Sequence, residues 1–583
     1  MARERLKLCL LNMPSLRGIL ARMRTLLTTL HSKYIHASLA LPCLAAFCGD
    51  DCGELLIREY TVHEPKESLL AKIIACNADV VAFSVYLWNR QLTLELVNCL
   101  KLIDPQLKIV LGGSEISFEP DYFFQQHPVD ALICGEGELP LRQLLSAWQR
   151  GEDPQLIPGL RLPSAPQENG RSELERLAEL PSPFAAGLVN LQRGLVYYES
   201  SRGCPYSCSF CMSALDDRVR SFPMPRIFSD LQFLIDAGVK QIKFVDRTFN
   251  YSNERSREIF EFILQKNRSS HFHFEIGAHL LDGKTLQLLE RVPDDMFQFE
   301  IGVQSTLPET LAQIGRTASL EKLEENVRRL RQKENIHLHL DLIAGLPGEG
   351  YQHFMASLDR VAALQPHHLQ VEPVKLLPGA PLRSQAAELG LKFDPLPPYS
   401  ILRSPDIDYC QLEKLRGISR LLDLLVNSER FKHLLPLLIE SFGGLSACLE
   451  NLDSFWRSEN LYDSPQALRQ LAFSLDRYLQ KSFSGDVLQR YREALARDYA
   501  HQERVVSGSE PSFFDCRIND LEKELVRQRV KQEVELLERS GKVQYFAGRF
   551  NSLPEAPDGC LLIFIYQTKS RKGQKVKEVM LCN

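Results

Sequence analysis

Two patterns of apolar and polar residues alternate along the first quarter of the chain. Short apolar runs, Thr25–Thr29, Glu54–Thr61, Asp79–Tyr86, Lys108–Gly112 and Ala131–Cys134, read as strands. Between them, Ala37–Cys48, Glu67–Cys76, Gln91–Leu102 and Leu139–Gln149 carry the spacing of amphipathic helices. Strands interleaved with helices predict an α/β fold, a doubly wound parallel sheet over residues 23–150. Such sheets bind ligands beyond the carboxyl ends of their strands, near the point where strand order reverses. The loops expected there are Leu30-His31-Ser32-Lys33-Tyr34, Ser84-Val85-Tyr86-Leu87-Trp88-Asn89, Gly112-Gly113-Ser114-Glu115 and Gly135-Glu136-Gly137-Glu138. Their small residues would let a large ligand lie against the backbone, although paired glycines after a strand are usually just a turn.

The pattern breaks over residues 151–190, where Pro154, Pro158, Pro163, Pro166, Pro181 and Pro183 mark a connector, with room for a helix in Ser172–Glu179. A second alternation fills residues 191–400. Leu195–Glu199, Gln241–Val245, Phe272–Ile276, Gln298–Val303, Leu338–Ile343 and Leu369–Pro373 read as strands. Phe228–Ala237, Ser256–Gln265, Lys284–Glu290, Leu320–Lys333 and Tyr351–Leu364 read as the helices between them. Residues 401–583 change again, to leucine-rich helices at Gln411–Asn427, Phe431–Glu440, Pro465–Gln480, Asp486–Asp498 and Asp520 to about Arg539. This mainly helical domain ends in strands, Val543–Ala547, Cys560–Tyr566 and Val576–Leu581, with the basic tract Lys569–Lys575 as a hairpin turn.

Composition adds little. The 583 residues are 44% hydrophobic and 25% charged, with a formal net charge of −5, so no global field draws in nucleic acid. No apolar run is long enough to span a membrane. Arg3, Arg5 and Lys7 before Leu8–Leu11 imitate a signal peptide, but the run is short; residues 1–22 read as an extension, with Met23 as a possible start. Cys9, Cys43, Cys48, Cys52, Cys76, Cys99 and Cys134 are scattered without a disulfide framework, which suggests a reducing cytoplasm.

The candidate chemistry is concentrated in Arg202-Gly203-Cys204-Pro205-Tyr206-Ser207-Cys208-Ser209-Phe210-Cys211. With fifteen cysteines in the chain, a C-x3-C-x2-C spacing is expected by chance roughly 0.01 times. A cubic [4Fe–4S] cluster usually takes four cysteines, so three leave one iron open to a ligand. A zinc site, or three unrelated buried thiols, remain the alternatives.

This motif resembles the signature of the radical S-adenosylmethionine (SAM) superfamily. The resemblance implies a partial (β/α)6 TIM-type barrel over residues 191–400, a [4Fe–4S] cluster on Cys204, Cys208 and Cys211, and SAM on the open iron. One electron would cleave SAM to methionine and a 5′-deoxyadenosyl radical. By position, the resemblance implies SAM contacts from Phe210 in the motif, and from Asp246 and Glu275 near the amino group. It further implies Gln304 at the ribose, Arg316 at the carboxylate, Asp341 at the ribose, and Ile343 and Gly345 against adenine. Asp246-Arg247-Thr248 replaces the more common Gly-Gly-Glu.

The sheet that precedes the motif resembles the Rossmann-like cobalamin (B12)-binding domain of B12-dependent radical SAM proteins. The resemblance implies cobalamin contacts at His31, Ser84, Tyr86, Asn89, Gly112, Gly113, Gly135, Glu136 and Gly137. The D-x-H-x-x-G signature is incomplete: Thr29, His31 and Tyr34 stand where Asp, His and Gly would be. His31 is therefore either a cobalt ligand or a loop histidine bonded within the protein, and His36 falls at a helix start. The C-terminal region resembles an uncharacterised domain that accompanies some bacterial members. Together these imply methyl transfer to an unactivated carbon through methylcobalamin, on a small-molecule or peptide substrate, with a low-potential donor such as flavodoxin or ferredoxin. A B12-dependent rearrangement or cyclisation, and a non-catalytic iron–sulfur carrier or scaffold, are the rival readings.

Overall fold

The structure, a computed structural model, describes residues 22–32, 38–118, 120–154, 157–164, 170–216, 218–536, 544–553, 555–556, 558–567 and 575–582. Residues 1–21, Tyr34, His36, the basic tract up to Gln574 and the expected helix end near Arg539 fall outside them. The chain divides into two compact units. One runs to His339 and takes in Gly345–Glu349 and Val374–Asp408; the other holds Leu340–Ala344, Gly350–Pro373 and the chain from Tyr409 onward.

In the first unit, β1 (Arg24–His31), β2 (Glu54–Thr61), β3 (Val80–Ser84), β4 (Lys108–Gly112) and β5 (Ala131–Ile133) form a parallel sheet in the order β2-β1-β3-β4-β5. Strand order reverses between β1 and β3, which makes the carboxyl ends of those two strands the switch point. Every residue of β3 is buried, because helices cover both faces. Leu26, Val81, Phe83, Ile109 and Leu111 fill one core, while Leu27, Val80, Ala82, Val110 and Ala131 fill the other. A sixth strand, β6 (Leu160–Arg161), pairs antiparallel with β5. Two residues carry no legible period, so this strand is hidden in the proline-rich connector. The helix expected in Ser172–Glu179 reduces to one 3₁₀ turn, Leu177–Glu179. The backbone before it is committed elsewhere: Ser172 N donates to Cys134 O, and Glu136 N to Ser172 O.

The second sheet is ordered β7-β10-β11-β12-β13-β14: β7 (Leu195–Tyr198), β10 (Gln241–Phe244), β11 (His271–Glu275), β12 (Phe297–Gln304), β13 (Ile336–Ala344) and β14 (His368–Pro373). A two-stranded ribbon, β8 (Ser201–Arg202) with β9 (Arg220–Ser221), interrupts it in sequence. The strands alternate strictly. Phe244, Phe272, Phe274, Phe297 and Phe299 are buried on one face with Phe249 and Phe260, the latter on helix Asn253–Lys266. Phe274 lies 4.6 Å, centroid to centroid, from both Phe244 and Phe249. Each buried ring contributes about 1.5–3 kcal/mol. The opposite face carries Lys243, His273, Glu275, Gln298, Glu300 and Gln304, all partly accessible.

The second unit contains helices Tyr409–Leu421, Leu434–Phe442, Leu445–Ser458, Leu468–Ser482, Gly485–Gln502 and Asp520–Leu536. An antiparallel sheet follows, Gln544–Phe550, Cys560–Gln567 and Lys575–Cys582. Leu445–Ser458 has no counterpart among the sequence expectations, because Gly443-Gly444 reads as a break; Gly443, at φ +74°, closes the preceding helix. Asn427, just past a π turn at Leu422–Val426, finishes β14. Its Oδ1 accepts from Leu369 N, and its Nδ2 donates to Leu369 O, both at 3.0 Å.

Candidate active site

The cysteine loop springs from the carboxyl end of β7, the edge where barrel chemistry gathers. Gly203 lets it leave: φ is +89°, and a Cβ would stand 2.2 Å from Arg218 O. Cys204 and Cys208 are buried and Cys211 is half-buried. Backbone bonds hold each turn, from Cys204 N to Asp216 O, Cys211 N to Cys208 O, and Ser209 N to Ile314 O. Donors converge on the sulfurs. Ser213 N lies 3.4 Å from Cys211 Sγ, and Arg316 Nη1 lies 3.9 Å from Cys208 Sγ. Thr248 Oγ1, which donates to Arg247 O, lies 3.6 Å from Cys204 Sγ. Burial pushes the Cys208 thiol up, and the Arg316 guanidinium opposes it. Among the described residues no group of three or more ligands could hold a single metal ion. A four-iron cluster takes each thiolate on a different iron. The thiols and their donors fit a three-cysteine cluster, with Phe210 half-buried between the last two of them.

Gln304, Arg316 and Gly302 are brought to this loop. Gln304 ends β12 at φ +72°. Its amide folds over Gly302, where a Cβ would stand 2.0 Å from Gln304 Nε2. Its buried Oε1 has no hydrogen-bond partner. Arg316 Nη2 donates to Gly302 O at 2.7 Å, and its guanidinium lies 5.5 Å from the Tyr206 ring centroid. Tyr206 Oη and His279 Nε2 are 2.8 Å apart. Burial, then Arg316 and Lys322, hold His279 down to about 4, so it is neutral at physiological pH. Glu275 closes β11 in register with Glu300. Glu300 accepts from His273 at 2.8 Å and pairs with Lys243 at 3.4 Å; the His273 bond, against burial, holds its carboxyl down to about 2. Asp246 is not brought in. It is fully buried, accepting from Ser200 N, Ser200 Oγ and Ser201 Oγ at 3.0, 2.6 and 2.5 Å. Asp341 and Ile343 lie on the same face of β13, and Gly345 follows the strand at φ +81°.

The residues expected at cobalamin divide. At the switch point Thr29 Oγ1 donates to Ser84 O, and Asn89 Nδ2 to Leu30 O. Tyr86 and Trp88 stack at 4.7 Å with their planes 10° apart; Trp88 is 50% exposed and donates its Nε1–H to Leu30 O. The stacked pair sets a flat aromatic surface at the switch point, where sheets of this kind take their ligands. His31 Nε2 sits 3.1 Å from Glu59 Oε1, so its ring is engaged within the protein. Gly112 ends β4, and Gly113 lets that loop close on Val85, whose carbonyl would be 2.5 Å from a Cβ. Gly135 does the same against Ser172, and Gly137 against Leu44. Glu136 is bonded to Arg220 and Leu174. Tyr206, His279 and the Lys243–His273–Glu300 group were not singled out from sequence as a set, since their spacing forms no motif.

Residues 26–145 match the B12 binding domain, residues 198–361 the radical SAM superfamily, and residues 387–546 a protein family of unknown function, DUF4080. The chain belongs to the cobalamin-dependent radical SAM superfamily. This superfamily member is 29% identical over 346 residues to the cobalamin-dependent radical SAM methyltransferase TokK of Streptomyces tokunonensis, covering 54% of this chain and 50% of TokK. It is also 29% identical over 349 residues to the 2-(S-pantetheinyl)-carbapenam-3-carboxylate methyltransferase of Streptantibioticus cattleyicolor, again covering 54% and 50%. The chain thus spans about half the length of these curated relatives. Its fold is similar to that of the cobalamin-dependent SAM radical enzyme OxsB with aqua-cobalamin and SAM bound (TM-score 0.56, 15% identity, 90% of this chain and 82% of that one). It is also similar to TsrM from Kitasatospora setae with cobalamin and a [4Fe–4S] cluster bound (TM-score 0.54, 19% identity, 64% and 81%). No helix among the described residues is long and apolar enough to cross a membrane.

Proposed function

We propose that this protein is a cobalamin-dependent radical SAM enzyme that transfers a methyl group to an unactivated carbon. The observation that carries the reading is Arg316, which reaches both Cys208 of the three-cysteine loop and Gly302 beneath Gln304, in a chain whose first sheet also has a switch point. Bound there, the cluster would supply the electron that cleaves SAM, and cobalamin a cobalt able to carry a methyl group. The chain's own residues do the rest. Cys204, Cys208 and Cys211 would hold the cluster. Arg316, beside Cys208, offers a fixed fork to the SAM carboxylate. The unpartnered Gln304 Oε1 accepts from a ribose hydroxyl, an interaction that satisfies an otherwise costly buried acceptor. Glu275 offers a carboxylate to the SAM amine, while the roles of Asp341, Ile343 and Gly345 toward the nucleoside rest on the family resemblance alone. Asp246 acts from behind, fixing Ser200 and Ser201 at the root of the loop. Methyl transfer is favoured over rearrangement because two curated relatives, matched over 346 and 349 residues, are methyltransferases.

The test uses SAM as probe. Full-length protein, reconstituted without oxygen with iron, sulfide and hydroxocobalamin and then reduced, is expected to release both S-adenosylhomocysteine and 5′-deoxyadenosine. 5′-Deoxyadenosine alone would favour rearrangement or cyclisation, and neither product would leave only an electron carrier or scaffold. In the Cys204→Ala, Cys208→Ala, Cys211→Ala triple variant 5′-deoxyadenosine should vanish.

A further inference from the structure

Glu136 has a role beyond bordering a ligand. Ribbon β8–β9 closes the base of the cysteine loop, and its register sets Arg202 directly opposite Arg220. Like charges facing each other across a strand pair repel, and an anion between them relieves that repulsion. Glu136 supplies it from the loop after β5. Its Oε1 accepts from Arg220 Nη2 at 2.8 Å. Its Oε2 meets Arg220 Nη1 and Arg202 Nη1, each at 3.2 Å, and Leu174 N at 2.6 Å. Both carboxylate oxygens are therefore engaged inside the protein. Arg202 also binds Glu138 at 2.7 Å and Glu199 at 3.0 Å.

From these arginines the path to the thiols is short. Arg202 precedes Gly203 and Cys204 in the chain. Arg220 closes on the Asp216 carboxylate at 3.3 Å, and the Asp216 carbonyl accepts Cys204 N–H at 3.1 Å. At the other end the loop is tightly seated: a Cβ at Gly135 would stand 2.4 Å from Ser172 O. Arg220 also meets Glu173 at 2.8 Å, so each arginine keeps other carboxylates, but among the described residues Glu136 is the one that both share; a shift of this loop cannot leave Glu136 in place, and a shift of Glu136 breaks that shared link.

We propose that Glu136 is a positioning residue that ties the corrinoid loop of the first sheet to the cluster loop, so that filling one cofactor site changes the affinity of the other. This rests on the functional reading above, since it takes Gly135–Gly137 to border the corrinoid. Linkage makes the effect reciprocal.

Full-length protein, either stripped of iron or reconstituted with iron and sulfide, is titrated with hydroxocobalamin and followed by absorbance. In the wild type the two dissociation constants should differ by about fivefold or more, and cobalamin should shift the reduction potential of the cluster. In Glu136→Gln, which removes the charge and keeps the shape, their ratio should fall toward one and the potential shift should vanish. A Glu136 that simply touched cobalamin would weaken binding in both forms alike and preserve the wild-type ratio, which would overturn the proposal. Glu136→Asp should give an intermediate ratio and serves if the glutamine variant does not fold. A wild-type ratio of one, with both cofactors bound, overturns the coupling alone. A wild type that binds no cobalamin in either form overturns the functional reading beneath it.

Discussion

A methyl group at Gly302 would land 2.0 Å from Gln304 Nε2, the movable end of a side chain rather than backbone. Gly302→Ala is therefore expected to fold and to weaken SAM binding about tenfold, one hydrogen bond's worth, by displacing that amide. Equilibrium dialysis with SAM reads it, and Gly302→Ala combined with Gln304→Ala should be no worse than Gln304→Ala alone. Gly203→Ala is harsher, since its Cβ meets the backbone of Arg218 at a left-handed φ. It should cost about 1–3 kcal/mol and reduce iron loading, measured by melting and by iron content. The three thiols stand out by their own spacing, whereas Gln304 and Arg316 were reached only through the resemblance of the segments around them to the superfamily. Glu136 between Arg202 and Arg220 was not legible, because the partners lie 66 and 84 residues apart in sequence and only the folded ribbon sets them face to face.

At the level of elements, Glu578 shows what a single strand can depend on. It lies on the last strand and accepts from Arg497 at 2.7 Å and His501 at 2.8 Å, both on helix Gly485–Gln502. Burial would raise its carboxyl, yet His501 and Arg497 hold it down to about 2, against an ordinary value of 4.5. A depressed carboxyl stabilises the fold above its unfolded value and loses that contribution as pH falls. The stability gap between wild type and Glu578→Gln should therefore be full above about pH 4.5 and close toward pH 2, which urea melts across that window would show. Asn427→Ala should leave Leu369 N–H and C=O unpaired, lowering stability by about 1–3 kcal/mol and speeding amide exchange at Leu369. Strands with strict alternation, such as β12, were visible in sequence. β6 was not, because two residues have no period, and Leu445–Ser458 was masked by the glycine pair before it.

For the whole molecule, the second unit owns two pieces taken from the middle of the barrel sequence, Leu340–Ala344 and Gly350–Pro373. Composition shows a change near residue 400 but not this interleaving, since each piece carries the same alternation as its neighbours. Ser419 Oγ donates to Val371 O, and Asn427 brackets Leu369, so β14 depends on the helices that follow residue 408. A chain ended at residue 408 should therefore be largely aggregated by size-exclusion chromatography, despite containing every cysteine of the motif and the whole first sheet.

That interleaving also sets a timetable for the ribosome. Leu369 leaves the exit tunnel well before Asn427, which must bracket it, a wait of roughly 3–12 s at ordinary elongation rates. During it the nascent strand edge is open to other chains, so slow codons between the two residues would lengthen its exposure, while a chaperone arriving in that interval would have a defined client.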